Sequence, residues 1–170
     1  MKRIILALAV LSMALGMPVH ASASVTDGIN PDFTAVLSGG PSTVIKGGTF
    51  TRTLTVANIG TGGSYADGTI RGISYATVVS VTSSGFRTNN PFNLAPCSVI
   101  KFSTGALNYV RCYGAYLNPG ETATMTVTYK ASAWVGYVYT GGGYTLPTGN
   151  AYEPNTTNNY NTAVVETKVI

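Results

Sequence analysis

Thr122-Ala123-Thr124-Met125-Thr126-Val127-Thr128-Tyr129-Lys130 alternates without a slip: Ala123, Met125, Val127 and Tyr129 fall on one side, threonines and a lysine on the other. A period of two sends successive side chains to opposite faces of an extended chain. The stretch therefore predicts a strand with one face on a core and the other in water, as in an antiparallel sheet. Thr49 to Ala57 repeats the pattern, with Phe50, Leu54 and Val56 inward and threonines outward. Arg52 falls on the apolar side, where its stem is expected to pack while its head reaches the sheet edge.

Working outward, turn signals recur at short intervals: Ser38-Gly39-Gly40-Pro41, Lys46-Gly47-Gly48, Asn58 to Gly63, Ala66-Asp67-Gly68, Asn118-Pro119-Gly120 and Gly141-Gly142-Gly143. Further strands are expected at Phe33 to Leu37, Thr69 to Tyr75, Thr77 to Thr82, Lys101 to Phe102, Tyr109 to Tyr113, Val135 to Tyr139 and Thr162 to Val169. Many short strands at such spacing predict a sandwich or barrel. Abundant Gly, Tyr and Thr with few charges favour strands and turns over helices. Phe86 to Gly105 and Gly136 to Asn150 are longer than the scaffold needs, and long loops on a rigid scaffold are where binding usually resides.

The N-terminus reads differently. Lys2 and Arg3 precede an apolar run of 12 residues, Ile4 to Leu15, then Pro18 and a small-residue triplet, Ala21-Ser22-Ala23. This is the pattern of a cleavable signal peptide, too short for the roughly 20 residues of a spanning helix. The expected organisation is a signal peptide over 1–23, a linker over 24–32 and one domain over 33–170. Val19-His20-Ala21 is a weaker cleavage site. No cysteine at the junction offers a lipid attachment, and no transmembrane anchor is expected after cleavage. Localisation is expected to be secreted, extracellular or cell-surface associated, and periplasmic in a Gram-negative cell.

Cleavage removes Lys2, Arg3 and the only histidine, His20, leaving eight basic against six acidic residues. The remaining Lys and Arg are scattered rather than set in a stripe along which phosphates could release counterions, so nucleic acid is not expected as a partner. Loss of the histidine removes Ser-His-Asp, Cys-His and histidine-based metal arrangements. Carboxylate pairs drawn from Asp27, Asp32, Asp67, Glu121, Glu153 and Glu166 form no recognisable acidic cleft, so no enzyme is expected. Cys97 and Cys112 are the only cysteines, and in an exported chain a single pair predicts one disulfide. Closing that loop would add roughly 3 kcal/mol by restricting the unfolded chain.

Two clusters remain as binding candidates. Trp134, Tyr137, Tyr139, Tyr144 and Tyr152 are interleaved with glycines, and exposed aromatics of this kind stack on sugars or anchor protein contacts; strand aromatics are more often core or cross-strand pairs. Glu153, Asn155 and Asn159 are oxygen donors within seven residues, so calcium is the one cofactor this pattern would suit. Capping of the turn before the last strand is the favoured reading of those three.

Five landmarks carry a resemblance: Lys46-Gly47-Gly48-Thr49-Phe50; Thr55-Val56-Ala57-Asn58-Ile59-Gly60; the pair Cys97 and Cys112; Leu117-Asn118-Pro119-Gly120-Glu121-Thr122-Ala123; and Glu153-Pro154-Asn155-Thr156-Thr157-Asn158-Asn159. In this order they resemble the bacterial conserved-repeat and cell-adhesion-related (CARDB-like) Ig-like domains. In those domains a Gly-Asp/Glu turn opens a strand ending in Asn-x-Gly, a Leu-x-Pro-Gly-Glu turn opens a later one, and an Asn-Asn turn precedes the last. Gly48 and Glu153 depart from the usual acidic and Asp residues, and the Tyr/Gly-rich region has no counterpart. The resemblance implies an immunoglobulin-like antiparallel β-sandwich serving adhesion, envelope interaction or extracellular structure, with an extracellular protein or glycan as partner. Two rivals stand beside it: a glycan-binding module using residues 134–152, and a self-assembling fibre or matrix subunit joined through free sheet edges.

Overall fold

The computed structural model describes residues 30–73, 76–87, 95–101, 108–132, 136–140, 143–148, 153, 155–159 and 165–170. The expected signal peptide over 1–23 and most of the linker lie outside them. The strands are β1 (Phe33–Ser38), β2 (Thr43–Val44), β3 (Thr49–Asn58), β4 (Ser64–Ile73), β5 (Ala76–Ser84), β6 (Cys97–Lys101), β7 (Asn108–Leu117), β8 (Thr122–Ala131), β9 (Gly136–Thr140), β10 (Gly143–Thr148) and β11 (Val165–Val169), with one 3₁₀ turn at Thr157–Asn159. One sheet has the order β1-β3-β8-β5, the other β2-β11-β9-β4-β7-β6 with β10 also on β4. All pairings are antiparallel except the two-residue β2–β11 pair, a departure from the all-antiparallel expectation.

Two period-two strands meet at the centre of the first sheet. β3 and β8 pair without a register shift from Thr49↔Lys130 to Ala57↔Thr122. Phe50, Leu54, Val56, Met125, Val127 and Tyr129, the inward set expected from sequence, are all buried. Opposite them lie Ala66, Ile70, Val110, Cys112 and Ala115 of the second sheet. Leu54 packs where the two sheets approach closely. A Cβ on Gly143 would collide with its Cδ1, and one on Gly68 would stand 3.3 Å from its Cδ2, so the bare backbones of β10 and β4 are what let the layers meet there.

Turn chemistry fixes the ends. Asn58 is fully buried, and its side chain donates to the carbonyls of Gly62 (2.7 Å) and Leu117 (2.9 Å) while accepting from the N–H groups of Gly60 (3.0 Å) and Asp32 (3.2 Å). Its backbone exchanges two bonds with the 118–121 turn, donating to Glu121 O and accepting from Gly120 N–H. That turn closes by Glu121 N–H to Asn118 O at 3.0 Å, and Gly120, at φ +81°, supplies the left-handed residue a type II turn needs after Pro119. Asn58 acts as a surrogate backbone, joining the end of β3 to the start of β8.

Arg52 corrects its expectation. Its head is buried along with its stem, donating to Gly39 O (2.7 Å), Thr51 O (3.0 Å) and Thr167 Oγ1 (2.6 Å) and lying 5.0 Å from the Phe50 ring centre. Because Thr167 belongs to β11, the guanidinium ties the two sheets together across the core. Burial pulls its pKa below the usual arginine value, partly opposed by the nearby Tyr129.

Three turn expectations also change. Ala66-Asp67-Gly68 lies inside β4, not between strands, and Gly143 opens β10. Within the long stretch over Gly136 to Asn150, the strand expected at Val135 to Tyr139 is present as β9, and the part expected as loop is strand at Gly143–Thr148. β9 and β10 follow one lane along β4, with Thr140↔Ile73 and Gly143↔Ile70, while β9 also pairs with β11. Gly141 and Gly142 lie outside the described residues.

Candidate interaction face

β7 reads Asn-Tyr-Val-Arg-Cys-Tyr-Gly-Ala-Tyr-Leu. Val110 and Cys112 turn inward and are fully buried, so Tyr109, Arg111 and Tyr113 take the outer face, where each is half-buried. The alternation then breaks. Ala66 pairs with Ala115 and Gly68 with Cys112, so Tyr113 and Gly114 together stand opposite the single residue Asp67. This is a β-bulge, and Gly114, at φ +65°, is the residue that accommodates it.

The bulge frees a backbone N–H, and Asp67 takes it. Its Oδ1 accepts from Gly114 N–H at 2.8 Å, and its Oδ2 accepts from Arg111 Nη2 at 2.6 Å and Nε at 3.1 Å. The Asp67 side chain is buried while the Arg111 side chain keeps about a third of its surface exposed. Arg111 lies over the Tyr113 ring, 5.0 Å from its centre, and the Tyr113 hydroxyl is 3.1 Å from Ser98 Oγ on β6. Beyond the bulge, Tyr65 and Tyr116 sit directly opposite each other on β4 and β7. Their rings meet edge to face at 4.9 Å, and each is 45% exposed. The result is an outward strip of Tyr65, Tyr116, Tyr113 and Arg111 in which a buried carboxylate holds Arg111 and the bulge at Gly114.

The disulfide braces this region from the side. Cys97 and Cys112 are bonded and face each other across β6 and β7, as the cysteine count predicts.

The aromatics nominated from sequence are placed differently. Trp134 and Tyr152 lie outside the described residues. Tyr137 and Tyr139 pair in register with Lys168 and Glu166 of β11, on the strand expected there, and Tyr144 pairs with Thr69 of β4, so it too lies on a sheet strand and not in a loop. Sequence reasoning missed Tyr65, Arg111, Tyr113 and Tyr116. The Tyr-x-Arg-x-Tyr alternation at 109–113 was a legible signal for part of the strip, but the bulge that turns Tyr116 to the same side was not.

Of the calcium candidates, Glu153 and Asn159 come together and Asn155 is used locally. Glu153 accepts from Phe33 N–H through Oε1 and from Asn159 Nδ2 through Oε2, both at 2.6 Å, while Asn155 Oδ1 accepts from the Thr157 hydroxyl and N–H. Burial pushes the Glu153 carboxyl above the usual range, opposed by those two hydrogen bonds and assisted by the charge of Asp32. No group of three or more His, Cys, Asp or Glu side chains suited to a metal occurs among the described residues, and no helix among them is long and apolar enough to cross a membrane.

Among solved structures, the CARDB domain of a Pyrococcus furiosus protein, crystallised with di-metal ions, superposes with a TM-score of 0.51 at 17% identity, covering 83% of this chain and 90% of that one. The fold is that of a CARDB domain. AvmM, which catalyses macrocyclization in alchivemycin A biosynthesis, matches at TM-score 0.48 and 11% identity over 82% of this chain and 89% of its own. A cohesin module from a Clostridium perfringens family 33 glycoside hydrolase matches at 0.46 and 10% over 82% and 98%. No protein-family model matches the sequence, and no curated protein does so. The CARDB-fold sandwich is the scaffold on which β4 and β7 carry the bulged strip.

Proposed function

We propose that this chain is a non-catalytic, exported interaction module, a single CARDB-fold domain over 33–170 released from a signal peptide over 1–23, and that it binds an extracellular protein partner at the cell envelope through Tyr65, Arg111, Tyr113 and Tyr116. The observation that carries the reading is the outward Tyr/Arg strip, with Arg111 and the bulge beneath it held by the buried Asp67. Tyrosine and arginine are the residues most enriched at the energetic centres of protein contacts, and rigid presentation lowers the entropy lost on binding. Protein is favoured over glycan because the Tyr65 and Tyr116 rings stand 69° apart and offer no coplanar platform for a sugar face. The strand lane carrying Tyr137, Tyr139 and Tyr144 adjoins β4, which keeps a glycan reading as the alternative outcome.

The test is fractionation of cells producing the full sequence, with wild type compared against the Tyr65→Ala/Tyr116→Ala double variant. Envelope retention of wild type, and its loss in a variant with unchanged melting temperature, is the expected result. Equal retention of both would remove the strip from the contact, and wild type found wholly soluble would remove the envelope role. Protease treatment of the envelope should abolish rebinding. Survival of rebinding after protease, with loss after glycan digestion, would transfer the reading to sugars, and release by chelator would bring calcium into the contact.

A further inference from the structure

Among the described residues five strands keep an unpaired side, and four of them are blunted. β10, on β4 alone, carries Pro147 and packs beside β1. β2 is two residues long, and β6 is five residues long and ends in Lys101. β1 packs beside β10 and the 3₁₀ turn, and its first N–H is already taken by Glu153. β5 differs on every count. It runs nine residues, Ala-Thr-Val-Val-Ser-Val-Thr-Ser-Ser, without a charge, proline or glycine, and no described strand pairs with its outer side. Long uncharged edges are what natural sheets usually avoid, because their free N–H and C=O groups are a template for another strand.

We infer that β5 is a self-association edge at which two copies of this chain pair antiparallel about a two-fold axis through Thr82. The register follows from the strand itself. A shift between Val78 and Ser80 makes Val79 bulge out, leaving Ser80 to Ser84 as the straight segment, paired in step with Thr128 to Thr124. About Thr82 that segment is its own complement: Ser80 meets Ser84, Val81 meets Ser83 and Thr82 meets Thr82.

The outer faces continue across such a junction. Thr53, Thr126 and Thr82 form one cross-strand row, in which the Thr53 and Thr126 hydroxyls lie 3.0 Å apart and Thr82 is the exposed last member. A second copy gives Thr82 a threonine on its open side, so that it is flanked by threonines on both sides as Thr126 already is, a favourable pairing in antiparallel sheets. On the inner side, Val81 packs against the core but is only partly buried, and the added strand would cover it. A second copy fits better than an arbitrary strand because the segment carries no charge to repel itself and the geometry closes on itself as a dimer. This surface belongs to the sheet opposite the Tyr/Arg strip, so the inference stands apart from the proposed binding role.

The experiment is sedimentation of the chain, purified after expression of the full sequence, from low-micromolar to near-millimolar concentration. A five-residue ladder is short, so the expected behaviour is a monomer at low concentration and a dimer at high. Thr82→Lys and Thr82→Glu, at an exposed position, should each sediment as monomers with wild-type far-ultraviolet dichroism, because like charges would then face each other across the axis. Mixing the two variants should restore a dimer of twice the monomer mass. A wild type that stays monomeric throughout, a dimer that survives in both variants, a mixture that fails to pair, or assembly beyond the dimer would each overturn the inference.

Discussion

β3 with β8, and β4 with β7, are the central pairs of the two sheets, and they differ in one respect. The first keeps a single register over nine pairs; the second shifts twice. In the regular pair every inward residue serves the core and every outward residue is a threonine, an alanine or a lysine. In the irregular pair one extra residue is spent at Gly114, and around it gather the buried carboxylate, the arginine and the exposed tyrosines. Regularity here provides stability, and the break in regularity creates a surface with chemistry. Mutation should separate the two roles.

The largest effect is expected in the regular pair. Leu54→Ala removes a fully buried side chain wedged against Gly68 and Gly143, backbones with no side chains that could refill the space. A loss of about 3 to 5 kcal/mol is expected in denaturant titration, at the upper end for leucine because the site cannot collapse easily. Partner binding, measured well below the unfolding transition, should be unchanged. A parallel loss of affinity would mean that the core and the strip are not separable.

Asp67→Ala should come next, and it should act on both properties. It strands the Gly114 N–H and removes the anchor of Arg111, whose guanidinium recovers hydration because it is already partly exposed. A destabilisation of about 2 to 3 kcal/mol is expected, below the full cost of breaking a wholly buried pair. The distinguishing readout is partner affinity in the folded protein, which should fall although Asp67 itself is buried. Unchanged affinity would show that the bulge shapes the sheet but not the binding strip.

What the sequence disclosed follows the same division. Thr122 to Lys130 and Thr49 to Ala57 could be read because burial on one face writes a period of two directly into the residues. Asn58 and Pro119-Gly120 could be read because turns need particular backbone conformations. Asp67 could not: beside Gly68 it carries the composition of a turn, and only pairing with a distant bulged strand makes it a strand residue. Arg52 was placed on the correct face, but its burial depends on acceptors at Gly39 and Thr167, 13 and 115 residues away. Gly143 reads as part of a turn, whereas in the fold it opens β10 and lets that strand approach Leu54 closely. Local rules carried the regular sheet; long-range pairing decided the site.

A smaller, pH-dependent effect contrasts two glutamates at sheet ends. Glu121 is exposed and its pKa is lowered by bonds from the Asn118 N–H and side-chain amide, so its contribution is present above the ordinary carboxylate pKa and is lost as pH falls through the lowered value. Glu153 runs the other way. Its folded pKa is raised by burial, so the folded chain holds the proton more tightly than the unfolded one, and stability falls as pH rises from the ordinary carboxylate value through the raised one. Glu153→Gln should flatten that fall, since an amide carries no charge to desolvate. It can still accept from Phe33, and rotation of the Asn159 amide would turn an oxygen toward the new donor. Stability measured from pH 4 upward should therefore converge at the acid end and diverge in favour of the variant toward neutrality. An unchanged slope would remove Glu153 as its source.

The smallest effect tests the claim that the regular sheet's outer face is chemically quiet within one copy. Thr126→Val deletes one hydroxyl from the row shared with Thr53 and keeps the branched shape that suits a strand. The lost cross-strand bond is partly exposed, so water replaces it on Thr53, and the change should stay within about 0.5 kcal/mol, as is usual for such surface positions. Neither partner affinity nor the Asp67 cluster should respond, because the substitution lies on the opposite sheet. A destabilisation several times larger would mean that the threonine rows act as a cooperative hydroxyl network. The contrast between a silent regular face and an active bulged one would then have to be redrawn as a contrast between two kinds of polar surface.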